Sequence, residues 1–269
     1  MQIKNITIIG CGWLGCILGE ALCKNGYSVH GSARSSAGLS RIINAGISQF
    51  YLDLNVTNKL PRQILEKTDL VVLSLPPQKR DLAAYYAELL SAIVQQFSLK
   101  TRVIFTSSIG IYPNRNQFFT ESYLFTLDEQ NTTLYQAEKQ LYALLGERLT
   151  VLRLGGLIGP ERHPIYSMSG KSISNDGSGP INLVHSADIT EAVLLIIKKN
   201  LFGKRYNLVF PSVVSKKLYY NTIAKQKDLD PVLFGKERAI HRKIDGQLIS
   251  KETDFEYAYT PHEYGSVFE

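Results

Sequence analysis

Apolar positions along the chain follow two patterns in turn. Short apolar runs predict strands: "NITIIG" (5–10), β-branched and suited to burial on both faces, then "YSVHGSA" (27–33), "ISQFYLDL" (47–54), "DLVVLSLPP" (69–77), "TRVIFTSS" (101–108) and "LTVLRLGGLIG" (149–159). Between them, spacings near 3.6 predict helices: "WLGCILGEALCKNG" closing at Gly26, "SSAGLSRIINAG", and the amphipathic "LAAYYAELLSAIVQQF" (82–97). A further helix surrounds Tyr135, and "SADITEAVLLIIKKN" (186–200) reads as another. Strands alternating with helices predict an α/β fold, a doubly wound parallel sheet covered on both faces. After about residue 160 the rhythm stops. "ERHPIYSMSGKSISNDGSGPIN" (161–182) is polar and rich in Gly and Ser, and reads as a loop region facing a substrate.

The first turn carries chemistry. "GCGWLG" sets Gly10, Gly12 and Gly15 in G-x-G-x-x-G spacing, after a strand and at the start of a helix. That context reads as a Rossmann-type dinucleotide cradle. Gly10 permits the tight turn, Gly12 admits a pyrophosphate to the backbone, and Gly15 brings helix and sheet together; Trp13 and Leu14 complete the loop. At the end of the second strand NAD sites place an acidic residue on the ribose. This chain has "HGSARSS" instead, with Ser32, Arg34 and Ser35. A guanidinium matches a 2′-phosphate, which predicts NADP rather than NAD. Asp53 is a candidate for the adenine edge, or a turn residue. Leu75, where the fourth strand meets Pro76, would form a wall beside the cofactor.

"VIFTSSIGIYPN" ends the fifth strand at Ser107 and Ser108, where doubly wound sheets bind ligands. In "LYQAEKQLY", Tyr135 and Lys139 stand one helical turn apart on one side. An ammonium near a phenol stabilises the phenolate and fits it for proton transfer. The same spacing also arises in ordinary amphipathic helices.

The cradle, "FTSSIGIY" and Y-x-x-x-K together resemble the short-chain dehydrogenase/reductase superfamily, extended or atypical branch. "VLRLGGLIGPERHP", "INLVHSADITEAVLL" and "GKRYNL" continue the resemblance over nearly the whole chain. It is nearest to compact bacterial NAD(P)-dependent epimerase/dehydratase-like proteins. The resemblance implies a catalytic triad of Ser108, Tyr135 and Lys139, with the last two also holding the nicotinamide ribose. It implies a dinucleotide-binding core over 1–160. A small substrate lobe would occupy 161–269, interleaved with the last core elements at roughly 181–210. Dehydratases of the family carry acidic residues beside the catalytic Ser/Thr. Ile109 and Gly110 stand there instead, so sugar dehydration is not expected. The expected function is an NADP-dependent oxidoreductase. An epimerase that retains its cofactor and a non-catalytic NADP-binding sensor are the alternatives.

Arg162, His163 and Lys171, in or near the loop after the sixth strand, and Asn182 are the candidate substrate contacts for a sugar or an anionic metabolite. Exposed loop charges are the alternative reading for the first three. His185 and Asp188 read as structural. The short lobe leaves room for help from a second copy of the chain, as in a homodimer. The formal charge of +6 over 269 residues comes without a dense basic run, so nucleic acid is not an expected partner. Three cysteines near one end, with no ligand spacing, predict reduced thiols and no metal. No apolar run reaches the ~20 residues of a membrane span, and the first residues lack a signal-peptide pattern. The expected location is the cytoplasm.

Overall fold

A computed structural model describes residues 2–78 and 83–259. In chain order the elements are β1 (Asn5–Ile9), α1 (Trp13–Lys24), β2 (Ser28–Ala33), α2 (Ser36–Asn44), β3 (Ser48–Tyr51), α3 (Arg62–Lys67), β4 (Leu70–Leu73), α4 (Ala83–Val94), β5 (Arg102–Ser108), β6 (Gln117–Phe119) and α5 (Thr133–Leu145). Then come β7 (Leu149–Leu154), β8 (Gly156–Ile158), α6 (Ile165–Met168), β9 (Ser172–Asn175), β10 (Leu183–His185), α7 (Ser186–Lys199), β11 (Arg205–Leu208), α8 (Lys216–Gln226), β12 (Leu233–Glu237), β13 (Arg242–Ile244) and α9 (Leu248–Glu252).

Seven strands form one sheet in the order β11-β7-β5-β4-β1-β2-β3. The pairs β1–β2, β1–β4, β2–β3 and β4–β5 are parallel. The chain runs outward from β1 through β2 to β3, then returns to β4 on the other side. The sheet order therefore reverses between β1 and β4, which is where doubly wound folds open a crevice at their strand ends. β1, β4 and β7 are buried along almost their whole length, as strands covered on both faces must be.

The chain divides into two compact units. The first comprises residues to Ile111, Leu124–Arg153 and Thr190–Arg205. One of its cores packs α4 and α5 over the sheet through Leu90, Ile93, Val94, Phe105, Leu141 and Leu145. The second comprises Tyr112–Tyr123, Leu154–Ile189 and the chain from Tyr206 on. Its core gathers Ile158, Ile165, Leu183, Tyr219, Ile223 and Val232. Three short parallel pairs, β8–β10, β9–β12 and β6–β13, frame it.

The structure departs locally from the sequence pattern in three places, two of them with a cause in the geometry. The third strand stops at Tyr51, because Asp53 accepts from the Asn55 N–H and starts a turn. The "LTVLRLGGLIG" run is two strands. A Cβ on Gly155 would lie 3.0 Å from the Asn182 carbonyl, and after this close approach β8 leaves the main sheet to pair with β10. The Gly/Ser-rich stretch contains α6 and β9 rather than loop alone. The first residue of the 82–97 pattern lies outside the described residues.

Candidate functional site

The reversal between β1 and β4 is occupied by the glycine turn. Gly10 has φ +84°, and a Cβ there would lie 2.6 Å from Leu75 Cδ2 and 2.7 Å from the Ser74 carbonyl. Only glycine fits both the dihedral and the space. The end of β4, with Leu75, is thus the wall against which the turn rests. Gly15 is nearly as constrained, with Ile8 and the Cys11 sulfur 3.3 Å from a built Cβ. Gly12 differs from both. It has φ −82°, and nothing lies within 4 Å of the position its Cβ would take.

Gly12 is also the N-cap of α1 and supplies no capping side chain; the first turn carries no acidic residue. A helix start of this kind leaves backbone N–H groups pointing outward at its positive end, a natural anion seat. Trp13 and Leu14 open this helix.

Ser32 holds the turn from behind. Its Oγ accepts from Gly10 N–H at 3.0 Å, and its carbonyl accepts from Cys11 N–H at 2.9 Å. It is 3% exposed, so its hydroxyl is committed to the turn. Ser35 is committed as well, since its Oγ caps α2 by accepting from Gly38 N–H. Arg34, between them, is exposed, and among the described residues its guanidinium has no hydrogen bond or ion pair. Asp53, half-buried, is tied to Asn55 by two bonds, accepting from its N–H at 3.0 Å and its amide at 2.8 Å. The Asn55 N–H and amide hold its carboxyl below the usual range, and Arg34 adds to the effect.

Ser108 ends β5, two places from β1 in the sheet. It is half-buried, and its Oγ accepts from Gly110 N–H at 3.0 Å. The strand's alternation sends Ser107 to the opposite face, where it is buried and donates to Glu138 Oε1 at 2.7 Å. Glu138 lies on α5 between Tyr135 and Lys139. Thr132 caps that helix by accepting from Tyr135 N–H. Tyr135 is half-buried, its ring 5.1 Å from that of Phe125. Lys139 is exposed. Among the described residues neither the Tyr135 hydroxyl nor the Lys139 ammonium has a hydrogen-bond partner or counter-ion.

Glu138 is the residue that the pattern of the chain conceals. It is 3% exposed and grips Arg153 of β7, 4% exposed, by Nε–Oε1 at 3.1 Å, Nε–Oε2 at 3.2 Å and Nη2–Oε2 at 2.7 Å. The Arg153 guanidinium also lies 5.7 Å from the Phe125 ring centre. A chain of contacts thus runs from Ser107 through Glu138, Arg153 and Phe125 to Tyr135, all in the first unit. Two signs of it are in the sequence. Glu138 adjoins the buried stripe Ala137, Leu141 and Leu145, and Arg153 is a charge inside a strand buried at every position.

The remaining candidates lie in the second unit. Arg162 and Lys171 are exposed. His163 is 5% exposed; its Nδ1 accepts from Ile165 N–H at 3.0 Å and its Nε2 lies 2.8 Å from the Tyr219 hydroxyl. Burial pushes its pKa down to about 4, and Lys227 adds to that. A neutral ring packed this way reads as a structural piece. The Asn182 amide spans two backbone groups of β13, donating to the Arg242 carbonyl at 2.9 Å and accepting from Ile244 N–H at 3.2 Å. His185 stacks on Tyr259 with ring centres 4.0 Å apart. Asp188 accepts from Ala258 N–H at 2.9 Å. No cluster of three metal-ligating side chains occurs among the described residues, and no helix among them is long and apolar enough to cross a membrane.

No protein-family model matches the chain. Protein YeeZ of Escherichia coli (strain K12) is 29% identical over 266 residues, covering 96% of this chain and 97% of YeeZ. Among solved structures, the UDP-glucuronic acid 4-epimerase from Bacillus cereus in complex with NAD superposes with a TM-score of 0.79 at 16% identity. It covers 98% of this chain and 96% of that one. Vestitone reductase from alfalfa (Medicago sativa) gives 0.75 at 17%, with the same coverage. The chain shares its Rossmann-type fold with this epimerase and this reductase.

Proposed function

We propose that this chain is a nicotinamide-dependent oxidoreductase of the extended short-chain dehydrogenase/reductase type, with NADP as its cofactor. One observation carries the reading. The crevice at the β1–β4 reversal is lined by a turn that only glycine fits, behind an uncapped helix start that is open at Gly12. Those features suit a pyrophosphate: backbone N–H donors, a positive helix end, and no side chain in the way.

Gly12 and the start of α1 would hold the pyrophosphate, Leu75 would flank the nicotinamide, and Arg34 would take the 2′-phosphate. Arg34 is the cation of "SARSS", exposed and, among the described residues, without a hydrogen bond or ion pair of its own, which supports NADP over the NAD bound by the Bacillus cereus epimerase. When bound, the nicotinamide would supply or accept a hydride at its C4. Tyr135 would pass the proton to or from the reacting oxygen, with Lys139 favouring its phenolate and Ser108 donating a hydrogen bond to that oxygen. Glu138, fixed by Arg153, would set the rotation of α5 against β5 and so hold Tyr135 at the strand ends. The substrate would be a small carbonyl or alcohol compound, a sugar or an anionic metabolite. Three free cysteines fit a reducing cytoplasm.

A second reading has its own support. Epimerisation through transient oxidation needs the same groups and a cofactor that stays bound, and epimerases stand among the structural neighbours.

The deciding experiment is titration with NADPH and NADH, then a carbonyl screen with the parent and Tyr135→Phe. The proposal expects NADPH to bind more tightly, and the variant to keep binding while losing turnover by about 100-fold or more. Oxidised cofactor retained through purification selects the epimerase. Binding without turnover by any substrate, with Tyr135→Phe unchanged, would leave a cofactor sensor and end the catalytic reading.

A further inference from the structure

The second unit contains a polar cavity of 240 Å3 with cations converging on it. Lys216 opens α8, Arg242 opens β13, and both line the cavity with Asn114, Asn182, Arg238 and Glu237. The arrangement is built rather than incidental. The Asn182 amide clamps the backbone of Arg242 and Ile244, fixing where β13 starts. The Arg242 guanidinium donates to the Tyr112 carbonyl at 3.2 Å, which aims the side chain.

The charges are not balanced. Among the described residues no carboxylate pairs with Lys216 or Arg242. Glu237 lines the same cavity but forms an ion pair with neither. Lys216 also stands at the positive end of an 11-residue helix with no acidic residue in its first turn. Cations there lose stability. Partial desolvation, and then Arg242, lower the Lys216 ammonium; desolvation lowers Arg242. Lys216 is exposed at the rim and Arg242 is half-buried; like charges crowded at one recess without a counter-ion have a common remedy in a bound anion.

We infer that this cavity binds the phosphate monoester end of a small ligand, held between Lys216 and Arg242. With the charge of Arg238 set against that of Glu237, the lining keeps two positive charges; a dianion matches them, where a carboxylate would leave one over. The size sets a limit as well. Whole small-molecule sites run to roughly 300–1,000 Å3. A 240 Å3 recess seats an end group, with the rest of the ligand outside it. A nucleotide sugar has no terminal phosphate monoester, so the inference points toward a phosphorylated metabolite. Calling the anion part of the substrate rests on the oxidoreductase reading; the existence of the site does not.

The test is calorimetric titration of the full chain with inorganic phosphate at fixed ionic strength and pH 7.5, with acetate as the comparison anion. Parent protein is expected to bind phosphate saturably and acetate about tenfold more weakly or worse. Lys216→Gln and Arg242→Gln should each weaken phosphate binding about tenfold or more, and Lys225→Gln at the far end of α8 should not. Melting temperatures without phosphate check folding. If Arg242→Gln is unfolded, Lys216→Gln decides. Absence of saturable binding, or Lys216→Gln binding as the parent does, overturns the site; acetate binding equally well overturns the phosphate assignment. NADPH titration of the same protein separates the two readings: phosphate bound without cofactor sinks only the oxidoreductase, and cofactor bound without phosphate sinks only this site.

Discussion

Glu138 and Arg153 meet inside the first unit through three N–H to carboxylate contacts, the shortest 2.7 Å, with both side chains 4% exposed. They tie α5, which carries Tyr135 and Lys139, to β7, and through Ser107 to β5, which carries Ser108. The elements that present the candidate triad are therefore joined by a buried ionic network rather than by apolar contact alone.

Breaking that pair from one side should be severe. Glu138→Ala leaves a buried guanidinium without its partner, a loss of about 3–5 kcal/mol. Ser107→Ala removes one hydrogen bond to a charged group, about 1.5–3 kcal/mol at most. Urea unfolding of the single and double variants measures both. Losses that simply add would show that Ser107 and Glu138 do not act together.

The glycines of the cradle should separate fold from ligand. Gly10→Ala forces a side chain into Leu75 and the Ser74 carbonyl at positive φ, and should cost about 1–3 kcal/mol in the unliganded protein. Gly12→Ala meets open space at an ordinary φ, so its melting temperature should stay near that of the parent. Its NADPH affinity should nevertheless fall, because the added methyl enters the proposed pyrophosphate space. Equal affinity for Gly12→Ala would remove the pyrophosphate from this turn.

Arg34→Gln should weaken NADPH by about 10- to 100-fold, the value of a charge-assisted contact, and leave NADH nearly unchanged. Fluorescence titration with both nucleotides reads the ratio. A parent protein that already binds NADH as tightly as NADPH would show that Arg34 is an ordinary surface residue.

Asp188 should make stability depend on pH. Burial raises its pKa from 3.8 to about 6, opposed in part by the Ala258 and Tyr259 N–H groups. The folded state then holds the proton more tightly than the unfolded state. The protein gains stability from this group as pH falls from about 6 toward 4, and carries the full penalty above about 6. Two pKa steps amount to roughly 2–3 kcal/mol. Asp188→Asn keeps the acceptor for Ala258 and removes the charge, so it should raise stability at pH 7.5 and flatten the curve. An unchanged profile in thermal unfolding between pH 5 and 8 would rule this out.

Cys16 should be the reactive thiol. Its sulfur lies 3.9 Å from that of Cys11, whose hydrogen bond, opposed by burial and aided by Arg41, holds the Cys16 thiol below its ordinary pKa. The same contact and burial push Cys11 up. Iodoacetamide labelling read by mass spectrometry should modify Cys16 first, at a rate rising through neutral pH. Faster labelling of Cys11 would contradict the assignment.

The sequence by itself determined the sheet and the cradle. Short apolar runs and period-3.6 runs are local, and a strand, three spaced glycines and a helix form one continuous segment whose geometry is set by neighbouring residues. The same holds for the i,i+4 placement of Tyr135 and Lys139. Tertiary structure decided what each polar group does once the segments meet. Ser32 and Ser35 looked equal to Arg34 in "SARSS", yet both hydroxyls are consumed by nearby backbone. Glu138 and Arg153 stand 15 residues apart, and Lys216 and Arg242 lie on separate elements. Nothing in the spacing of either pair announces a meeting. Hydrogen bonds and charge pairs act over a few ångströms, so their partners are fixed by packing and not by distance along the chain.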